Sequence, residues 1–268
     1  MQPIVFPGLG LKFIIDPTAF TIFGIPIYWY GIIISTGFLL AILLTTYEAK
    51  RVGLDPEIIM DIALFGTPAA IIGARLYYVV FNWSAYKDNL SEIFAIRHGG
   101  LAIYGAIIAA LITTVIYCKV KKINIWRVFD IGVLGLIIAQ AIGRWGNFVN
   151  QEAYGEQTNL PWRMEVFDVQ TQSRIAVHPT FLYESLWNVV GFLFLIWYRK
   201  RKKFHGEIFL FYTLWYGLGR FWIEGLRTDS LYLGNFRVSQ IVAAISVIVS
   251  IGFIRHFRKN TNEKADII

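Results

Sequence analysis

Charged residues are scarce in this sequence. Asp, Glu, Lys and Arg make up 16% of its 268 residues, whereas a soluble domain contains about 25%. Hydrophobic residues make up 56%, so the chain is neither an ordinary water-soluble globule nor a disordered one. The composition therefore indicates an integral membrane protein, with the lipid bilayer as its solvent.

Cysteine and the common catalytic motifs are almost absent as well. The single cysteine, Cys118, excludes an internal disulfide, and its apolar surroundings in the sequence indicate a packing residue. No H-E-x-x-H, G-x-S-x-G, Walker A or C-x-x-C motif occurs, so metalloproteases, serine hydrolases and P-loop proteins lose their usual support. We expect neither a metal ion nor a cofactor.

The charge that is present is mostly basic. Lys and Arg outnumber Asp and Glu by 25 to 18, which gives a net charge of +7. Such a balance can favour nucleic acid, but here the basic residues form short clusters between apolar runs. This arrangement is typical of cytoplasmic loops beside anionic lipid. We therefore predict the lipid bilayer as a partner and no nucleic acid.

Long apolar segments define the expected fold. A spanning helix needs about 20 mostly apolar residues, and seven segments approach this length. The sequence therefore predicts an all-α membrane protein, a bundle of seven transmembrane helices forming one polytopic domain over residues 1–268. The predicted spans are 26–46, 61–81, 101–118, 126–144, 180–198, 207–224 and 238–255.

The loops between these spans predict the orientation of the chain. One alternating set of loops contains 15 Lys and Arg residues, whereas the other contains 8, Arg144 among them. Because cytoplasmic loops carry the excess of basic residues, the first set is placed in the cytoplasm. The N-terminus is then outside and the C-terminus is cytoplasmic.

Seven polar side chains fall in the outer halves of six predicted spans. An ionisable group at such depth costs at least about 2.5 kcal/mol on insertion scales, so it usually marks function. Arginines that merely extend to the interface would occur in both leaflets. The shared depth therefore favours a site toward the outer leaflet, formed by Tyr30, Arg75, Tyr104, Arg144, Glu184, Arg220 and Glu224.

The densest polar motif is Gly143–Gly155, at the end of the fourth span. Its glycines let the backbone approach a ligand, and Arg144 with Asn147 offers donors suited to phosphate oxygens. The alternative is a polar helix cap followed by a turn. So many Asn, Gly and Glu residues at a membrane boundary are hard to explain by capping alone.

Three further runs are polar, and each also has a structural explanation. Arg220 and Glu224, in the run 216–224, form an i,i+4 pair that in water would be an ordinary helix pair. The run 178–184 opens the fifth helix with Pro in its first turn. Small residues in the run 99–106 permit close helix packing, and Tyr104 could belong to an aromatic belt at the membrane interface.

These motifs resemble those of the bacterial phosphatidylglycerol-prolipoprotein diacylglyceryl transferases. The resemblance rests mainly on Gly143–Gly155 and extends in consistent order over nearly the whole chain. It implies a seven-helix enzyme of the bacterial cytoplasmic (inner) membrane, with its active site toward the outer leaflet. Such enzymes move the sn-1,2-diacylglyceryl group of phosphatidylglycerol onto the lipobox cysteine thiol of a preprolipoprotein. A thioether forms and glycerol phosphate is released, as the first step of lipoprotein maturation.

The resemblance also implies roles for individual residues. Arg144 and Arg220 are expected to be catalytic, and guanidinium groups are suited to neutralise the charge on a departing phosphate. Tyr104 is included in the catalytic group. The expected binding residues for the phosphatidylglycerol headgroup are Arg144, Asn147, Glu152, Gly155, Tyr30, Arg75, Glu184, Tyr216 and Glu224.

Tyr104 departs from the family pattern, because some members carry His at this position and that His has been cast as the base. A phenol is mostly protonated at pH 7 and is a poor base, whereas a thiol is already partly ionised and needs no strong base. Tyr104 is therefore predicted to position the substrate. The proton acceptor stays open between His178, Glu152 and bulk water.

The segment 151–177 is too polar to span the membrane and is predicted to form a small extracytoplasmic cap, with a strand over 164–167. Two other functions remain as alternatives. Mid-helix arginines also occur in transporters of anionic solutes, although no inverted repeat is evident here. Another transferase that uses phosphatidylglycerol with a different acceptor would share the same site.

Overall fold

The computed structural model describes residues 2–96, 99–168, 171–228, 230, 232–234 and 236–265. Within these residues the chain is mostly helical, with seven α-helices. They are α1 (Trp29–Arg51), α2 (Glu57–Phe81), α3 (Ile103–Val120), α4 (Ile125–Asn150), α5 (Thr180–Tyr198), α6 (Glu207–Glu224) and α7 (Val238–Ala265).

Short strands connect some of these helices. They are β1 (Ile4–Phe6), β2 (Leu11–Phe13), β3 (Thr18–Ile22), β4 (Ile25–Tyr28), β5 (Met164–Asp168), β6 (Ser173–Val177), β7 (Tyr232–Leu233) and β8 (Phe236–Arg237). A four-stranded antiparallel sheet has the order β2-β1-β5-β6, and two hairpins are formed by β3 with β4 and by β7 with β8.

Six helices in the described part of the chain are long and apolar enough to cross a membrane, which confirms a helical membrane protein. The helix α6 is not among them, because three of its 18 residues are the charged Glu207, Arg220 and Glu224. At 1.5 Å per residue it is about 27 Å long, close to the roughly 30 Å hydrocarbon thickness of a bilayer. Seven spans with the N-terminus outside stay a prediction.

The contacts group the chain into two compact units. One consists of Met1–Ala41 with Phe129–Ile268, and the other of Ile42–Val128. The first unit contains α5, α6, α7, all the strands and most of α4. The second contains α2, α3 and the end of α1, whose first part belongs to the first unit. The prediction of a single polytopic domain with a cap at 151–177 is not decided by this grouping.

The predicted strand near Met164 is confirmed, but it is part of a larger sheet than the sequence indicated. The N-terminal strand β1 pairs with β5, with Val5 opposite Glu165. Apolar side chains from this sheet, including Ile4 and Val166, pack with Phe148 near the end of α4 and Phe181 at the start of α5. This core fixes the ends of α4 and α5 beside each other.

The same two helices are also joined by a polar contact, which lies one helical turn farther from the sheet. The indole of Trp145 donates to the Ser185 hydroxyl at 3.2 Å, and that hydroxyl donates to the Ala141 carbonyl at 2.9 Å. Because Arg144 and Glu184 directly precede Trp145 and Ser185, this contact places the two charged residues opposite each other.

In the second unit, α2 and α3 approach closely where two glycines meet. A Cβ atom on either Gly73 or Gly105 would overlap the backbone of the other, so the small residues of the run 99–106 do permit close packing. Cys118 is buried in an apolar cluster with Ile58 and Val128, which confirms its interpretation as a packing residue.

Candidate functional site

Glu184 lies at the centre of a cluster of three arginines in the first unit. Its Oε2 is 2.8 Å from Nε of Arg144 on α4. Its Oε1 is 3.0 Å from Nη1 of Arg227, just after α6, and 3.7 Å from Nη1 of Arg220 on α6. One carboxylate therefore joins α4, α5 and α6.

A second carboxylate completes the cluster. Arg220 Nη2 lies 2.6 Å from Glu224 Oε2, so the i,i+4 pair predicted from the sequence forms. The Glu224 side chain is 2% exposed, whereas those of Arg144 and Arg220 are 24% and 20% exposed. The buried carboxylates therefore hold two guanidinium groups whose remaining surface is accessible.

The balance of charge in this cluster favours an anion. Three arginines face two carboxylates, which leaves an excess of one positive charge. A guanidinium has five N–H donors, more than the described contacts of Arg144 or Arg220 use. The carboxylates orient the arginines, and the remaining donors are suited to the oxygens of a phosphate.

A chain of polar contacts extends from Arg144 along the end of α4. Arg144 donates from Nη1 to the Asn147 side-chain oxygen at 3.4 Å, and the Asn147 amide donates to Glu152 Oε1 at 2.9 Å. The Asn150 amide lies 3.5 Å from the same Glu152 oxygen. Three predicted residues of the run Gly143–Gly155, namely Arg144, Asn147 and Glu152, thus form one connected network.

An apolar cavity of about 550 Å³ lies beside this network. It is formed by the β3–β4 hairpin, the beginning of α1 and the end of α4. Apolar space next to charged groups suits an amphiphilic ligand. The lining residues are Pro17, Pro26, Ile27, Tyr28, Tyr30, Gly31 and Asn150.

Tyr30, one of these lining residues, packs against the helix that carries the arginine. A Cβ atom on Gly146 would lie 2.7 Å from the Tyr30 ring, so the glycine of the G-R-W-G sequence makes room for it. Tyr216 lies on α6 with its ring stacked on that of Tyr212, at 6.0 Å between centroids. The headgroup-binding role predicted for Tyr30 and Tyr216 stays a prediction.

His178, the alternative base, takes part in an aromatic group at the start of α5. Its Nδ1 lies 3.2 Å from the Tyr183 hydroxyl, which also accepts a hydrogen bond from the Trp162 indole at 2.8 Å. This contact fixes the orientation of the imidazole ring. The proton acceptor stays a prediction, with His178, Glu152 and bulk water as the alternatives.

Gly155 lies where three segments of backbone meet. Its N–H donates to the His178 carbonyl at 3.0 Å, and it forms an isolated β-bridge with Arg227. A Cβ atom here would lie 2.7 Å from both the His178 Cβ and the Leu226 carbonyl oxygen. The structure thus gives Gly155 a packing role next to Arg227, while its predicted headgroup contact stays a prediction.

Gly155→Ala is expected to lower both stability and activity. The methyl group must displace the backbone at Leu226, and overpacking of this kind costs about 1–3 kcal/mol. Because Arg227 follows directly, its contact with Glu184 is disturbed as well. Thermal unfolding and the rate of lipid transfer measure the two effects.

Gly132→Ala is the matched control, because a Cβ atom at Gly132 on α4 meets nothing within 4 Å. That change is expected to be tolerated, since Ala is a better helix former than Gly. Equal behaviour of the two variants would contradict the packing role of Gly155.

Arg227 is the residue that sequence reasoning missed. Its side chain is 9% exposed, and it contacts Glu184 from the segment after α6. A nearby arginine, Arg237, donates to the Glu224 carbonyl at the end of α6 and lies 3.1 Å from Glu156. The only signal for Arg227 is its position three residues after Glu224, where another helical turn would place it beside that carboxylate.

Two predicted site residues belong to the second unit. Arg75 donates to four backbone carbonyls, those of Glu92, Ile93, Gly99 and Gly100, at 2.5 to 3.0 Å. It therefore holds the segment between α2 and α3. The predicted binding of the phosphatidylglycerol headgroup by Arg75 stays a prediction.

Tyr104, the other of these two residues, lies in the first turn of α3 and is 48% exposed. Its ring centroid is 6.4 Å from that of Tyr77. Its role in positioning the substrate stays a prediction.

Comparisons with known proteins identify the family of this chain. The family model described as prolipoprotein diacylglyceryl transferase matches residues 17–256. That range includes every residue of the arginine cluster, and the match confirms the resemblance drawn from the motifs.

Individual relatives are similar over nearly their full lengths. A Clostridioides difficile protein is 49% identical over 250 residues, covering 92% of this chain and 98% of the relative. A Listeria innocua protein is 48% identical over 254 residues, or 92% of both chains. An Enterococcus faecalis protein is 47% identical over 259 residues, or 93% of both.

All three relatives carry the name phosphatidylglycerol-prolipoprotein diacylglyceryl transferase. With a family match over most of its length and relatives this similar, the chain belongs to the prolipoprotein diacylglyceryl transferase family.

Proposed function

We propose that this protein transfers the sn-1,2-diacylglyceryl group of phosphatidylglycerol to the cysteine thiol of a preprolipoprotein lipobox. The observation that carries the proposal is the cluster in which Arg144 and Arg220 share Glu184. The family and the names of its relatives supply the substrates. The reaction is the first step of bacterial lipoprotein maturation.

The chemistry is a substitution at the glycerol carbon that carries the phosphate. The thiolate sulfur of the peptide forms a bond to this carbon, and the bond from the carbon to the phosphate oxygen breaks. Glycerol phosphate leaves with the bonding electrons, and the thiol proton passes to an acceptor. Negative charge therefore develops on the phosphate side of the breaking bond.

Arg144 and Arg220 are placed to stabilise this charge. Both guanidinium groups are held by buried carboxylates, so little reorganisation is needed when the charge develops. In surroundings that exclude water such an interaction is stronger than in solution. In this proposal Asn147 and Glu152 orient Arg144, while Glu184, Glu224 and Arg227 set the spacing of the two catalytic arginines.

The nucleophile belongs to the peptide. Cys118, the only cysteine of this chain, is 1% exposed in its apolar cluster. A thiol in such surroundings is a packing group and not a nucleophile. This agrees with a reaction in which the peptide supplies the sulfur.

The finer topology is also part of the proposal. Seven helices cross the bacterial cytoplasmic membrane, with the N-terminus outside and the arginine cluster toward the outer leaflet. The excess of Lys and Arg in one set of loops supports this orientation. Arg220 and Glu224 of α6 are tolerated in the membrane because they are paired within the cluster. Glu207, at the other end of the helix, is paired with Arg258.

A vesicle assay tests the function. The purified protein is placed in vesicles containing phosphatidylglycerol and incubated with a lipobox peptide. Mass spectrometry is expected to show the peptide heavier by one diacylglyceryl group, with glycerol phosphate released in equal amount. A peptide with Ser in place of the cysteine, and vesicles without phosphatidylglycerol, should give no product.

An unmodified cysteine peptide, under conditions where the protein demonstrably binds phosphatidylglycerol, would overturn the proposal. Release of glycerol phosphate without peptide modification would instead indicate a transferase with another acceptor.

Tyr104→Phe is expected to lower kcat by less than about tenfold. A positioning hydrogen bond contributes about 0.5–1.5 kcal/mol, and about 1.4 kcal/mol corresponds to a tenfold change in rate. Rates of peptide modification at several peptide concentrations separate kcat from KM. Tyr47→Phe, at a tyrosine on α1 that is 61% exposed, is the control. Complete loss of transfer with intact lipid binding would show that Tyr104 takes the proton.

A further inference from the structure

Two tryptophans join α5 and α6 by a reciprocal pair of hydrogen bonds. The Trp187 indole donates to the Trp215 carbonyl at 3.0 Å, and the Trp215 indole donates to the Trp187 carbonyl at 2.9 Å. The two rings are stacked, with centroids 4.6 Å apart and planes 24° from parallel. We call this arrangement the tryptophan clasp.

Each tryptophan also fits against a glycine of the other helix. The sequence contains the same spacing twice, as Trp187 with Gly191 and as Trp215 with Gly219. A Cβ atom on Gly219 would overlap the Trp187 ring, and one on Gly191 would overlap the Trp215 ring. The clasp is therefore symmetrical, and it fits only at one position of the two helices along each other.

The clasp belongs to a run of contacts that shows α5 and α6 to be antiparallel. Along these contacts the residue numbers decrease on α5 while they increase on α6, as they do in an antiparallel pair of helices. From the far end toward the arginine cluster they join Tyr198 to Glu207, Phe194 to Phe211, Trp187 to Trp215, and Glu184 to Arg220.

The position of the clasp in this run connects it to the cluster. Glu184 lies one turn from Trp187, and Arg220 directly follows Gly219. A slip of one residue moves a helix by 1.5 Å along its axis and rotates the side chains by about 100°. The contact between Glu184 and Arg220 is 3.7 Å long, so even part of such a slip would separate the two groups.

We propose that Trp187 and Trp215 are positioning residues for the transfer reaction. They hold α5 and α6 in the register at which Glu184 is shared by Arg144 and Arg220. The effect on catalysis rests on the proposed function, whereas the effect on helix register does not. The indoles donate to backbone carbonyls and not to a substrate, so they act through the carboxylate and the arginines.

Phenylalanine substitutions test the clasp, because Phe keeps an aromatic ring but removes the N–H donor. Trp187→Phe and Trp215→Phe are each expected to lower kcat by about 10- to 100-fold, as misplacement by about 1 Å does, with little change in KM for the peptide. The double variant should be little worse than either single one, because the two bonds form one unit. The matched control is Trp197→Phe, at a tryptophan of α5 that is 57% exposed and contacts Arg201.

Two further measurements do not depend on activity. Coupled indoles give a paired positive and negative band in circular dichroism, and either clasp substitution should weaken it while Trp197→Phe should not. Trp187→Phe should weaken it more than Trp215→Phe, because the Trp187 ring also lies 5.9 Å from that of Trp222. Thermal unfolding should show that Glu184→Gln lowers Tm less in the Trp187→Phe background than in the parent, because the clasp and the ion pairs are coupled. Equal shifts in Tm in the two backgrounds would overturn the coupling.

The outcomes separate the clasp from the proposed function. If the parent protein does not modify the peptide, the function fails, whereas the dichroism still shows whether the two rings are stacked. The Tm cycle still decides whether the clasp is coupled to the ion pairs of Glu184. If the parent is active and both clasp variants are as active as Trp197→Phe, the positioning role is wrong.

Discussion

Arg144→Lys and Arg220→Lys are each expected to lower kcat by about 100- to 1,000-fold, the usual loss when one donor to a developing oxyanion is removed. Lysine keeps the positive charge but loses the planar fork of donors. In the structure Arg144 uses Nε for Glu184 and Nη1 for Asn147, so one guanidinium spans several groups that an ammonium cannot reach together. Initial rates of peptide modification in phosphatidylglycerol vesicles measure the effect.

The same substitution elsewhere provides the control for this prediction. Arg201→Lys changes an exposed arginine whose guanidinium lies over the Trp197 ring, 4.2 Å from its centroid, and it is expected to leave the rate nearly unchanged. If the Lys variants at 144 and 220 keep at least a third of the parent rate, then charge alone is sufficient. The proposed fork of donors to the phosphate would then be wrong.

The helices around the site could be predicted well where polar residues mark their ends. The predicted spans 180–198 and 207–224 have the bounds of α5 and α6, because Pro179 precedes the first and a basic cluster separates them. The last span was predicted to end at 255, but α7 continues to Ala265. Lys, Arg and Glu, which follow the apolar span, are good helix formers. The helix therefore continues beyond the end of the apolar segment.

The small sheet shows what sequence patterns cannot supply. Strand β5 could be predicted from its alternating residues, but β1 and β2 have three residues each. Three residues are too few for a period of two to stand out. Moreover, β1 pairs with β5 more than 150 residues away, at Val5 and Glu165, and no local signal reports such a partner.

The sequence predicts a shared depth for the site residues and the local pair of Arg220 with Glu224, but not the pairing of Glu184 with residues of other helices. The positions of Arg144, Glu184 and Arg220 within their spans indicated one polar site, and the structure brings them together. Each carboxylate also has a local explanation, Glu184 as a helix-start residue and Glu224 as the i,i+4 partner of Arg220. The contacts of Glu184 with three arginines depend on the register of α4, α5 and α6, which is set by packing. Arg227 was missed for the same reason, because it lies beyond the end of α6.

Glu184→Gln is expected to have the largest effect on stability in the cluster. Glu184 is 8% exposed and contacts the guanidinium groups of Arg144, Arg220 and Arg227. The amide is nearly the same size, so packing is kept while the shared negative charge is lost. Removing one partner of a buried ion pair costs about 3–5 kcal/mol, because the remaining charges are left uncompensated. Thermal unfolding in lipid vesicles measures the loss.

Activity should fall with stability in this variant, but for a separate reason. Without the carboxylate between them, Arg144 and Arg220 repel each other and no longer converge on one phosphate. The rate of transfer at a temperature where the variant stays folded is therefore expected to fall by at least about 100-fold, the loss caused by misplacement of about 1 Å. Glu165→Gln is the matched control, since its contact with Arg163 is 3.8 Å long and both side chains are over a quarter exposed. An exposed pair contributes about 0–1 kcal/mol, so equal losses at 165 and 184 would show that Glu184 does not organise the cluster.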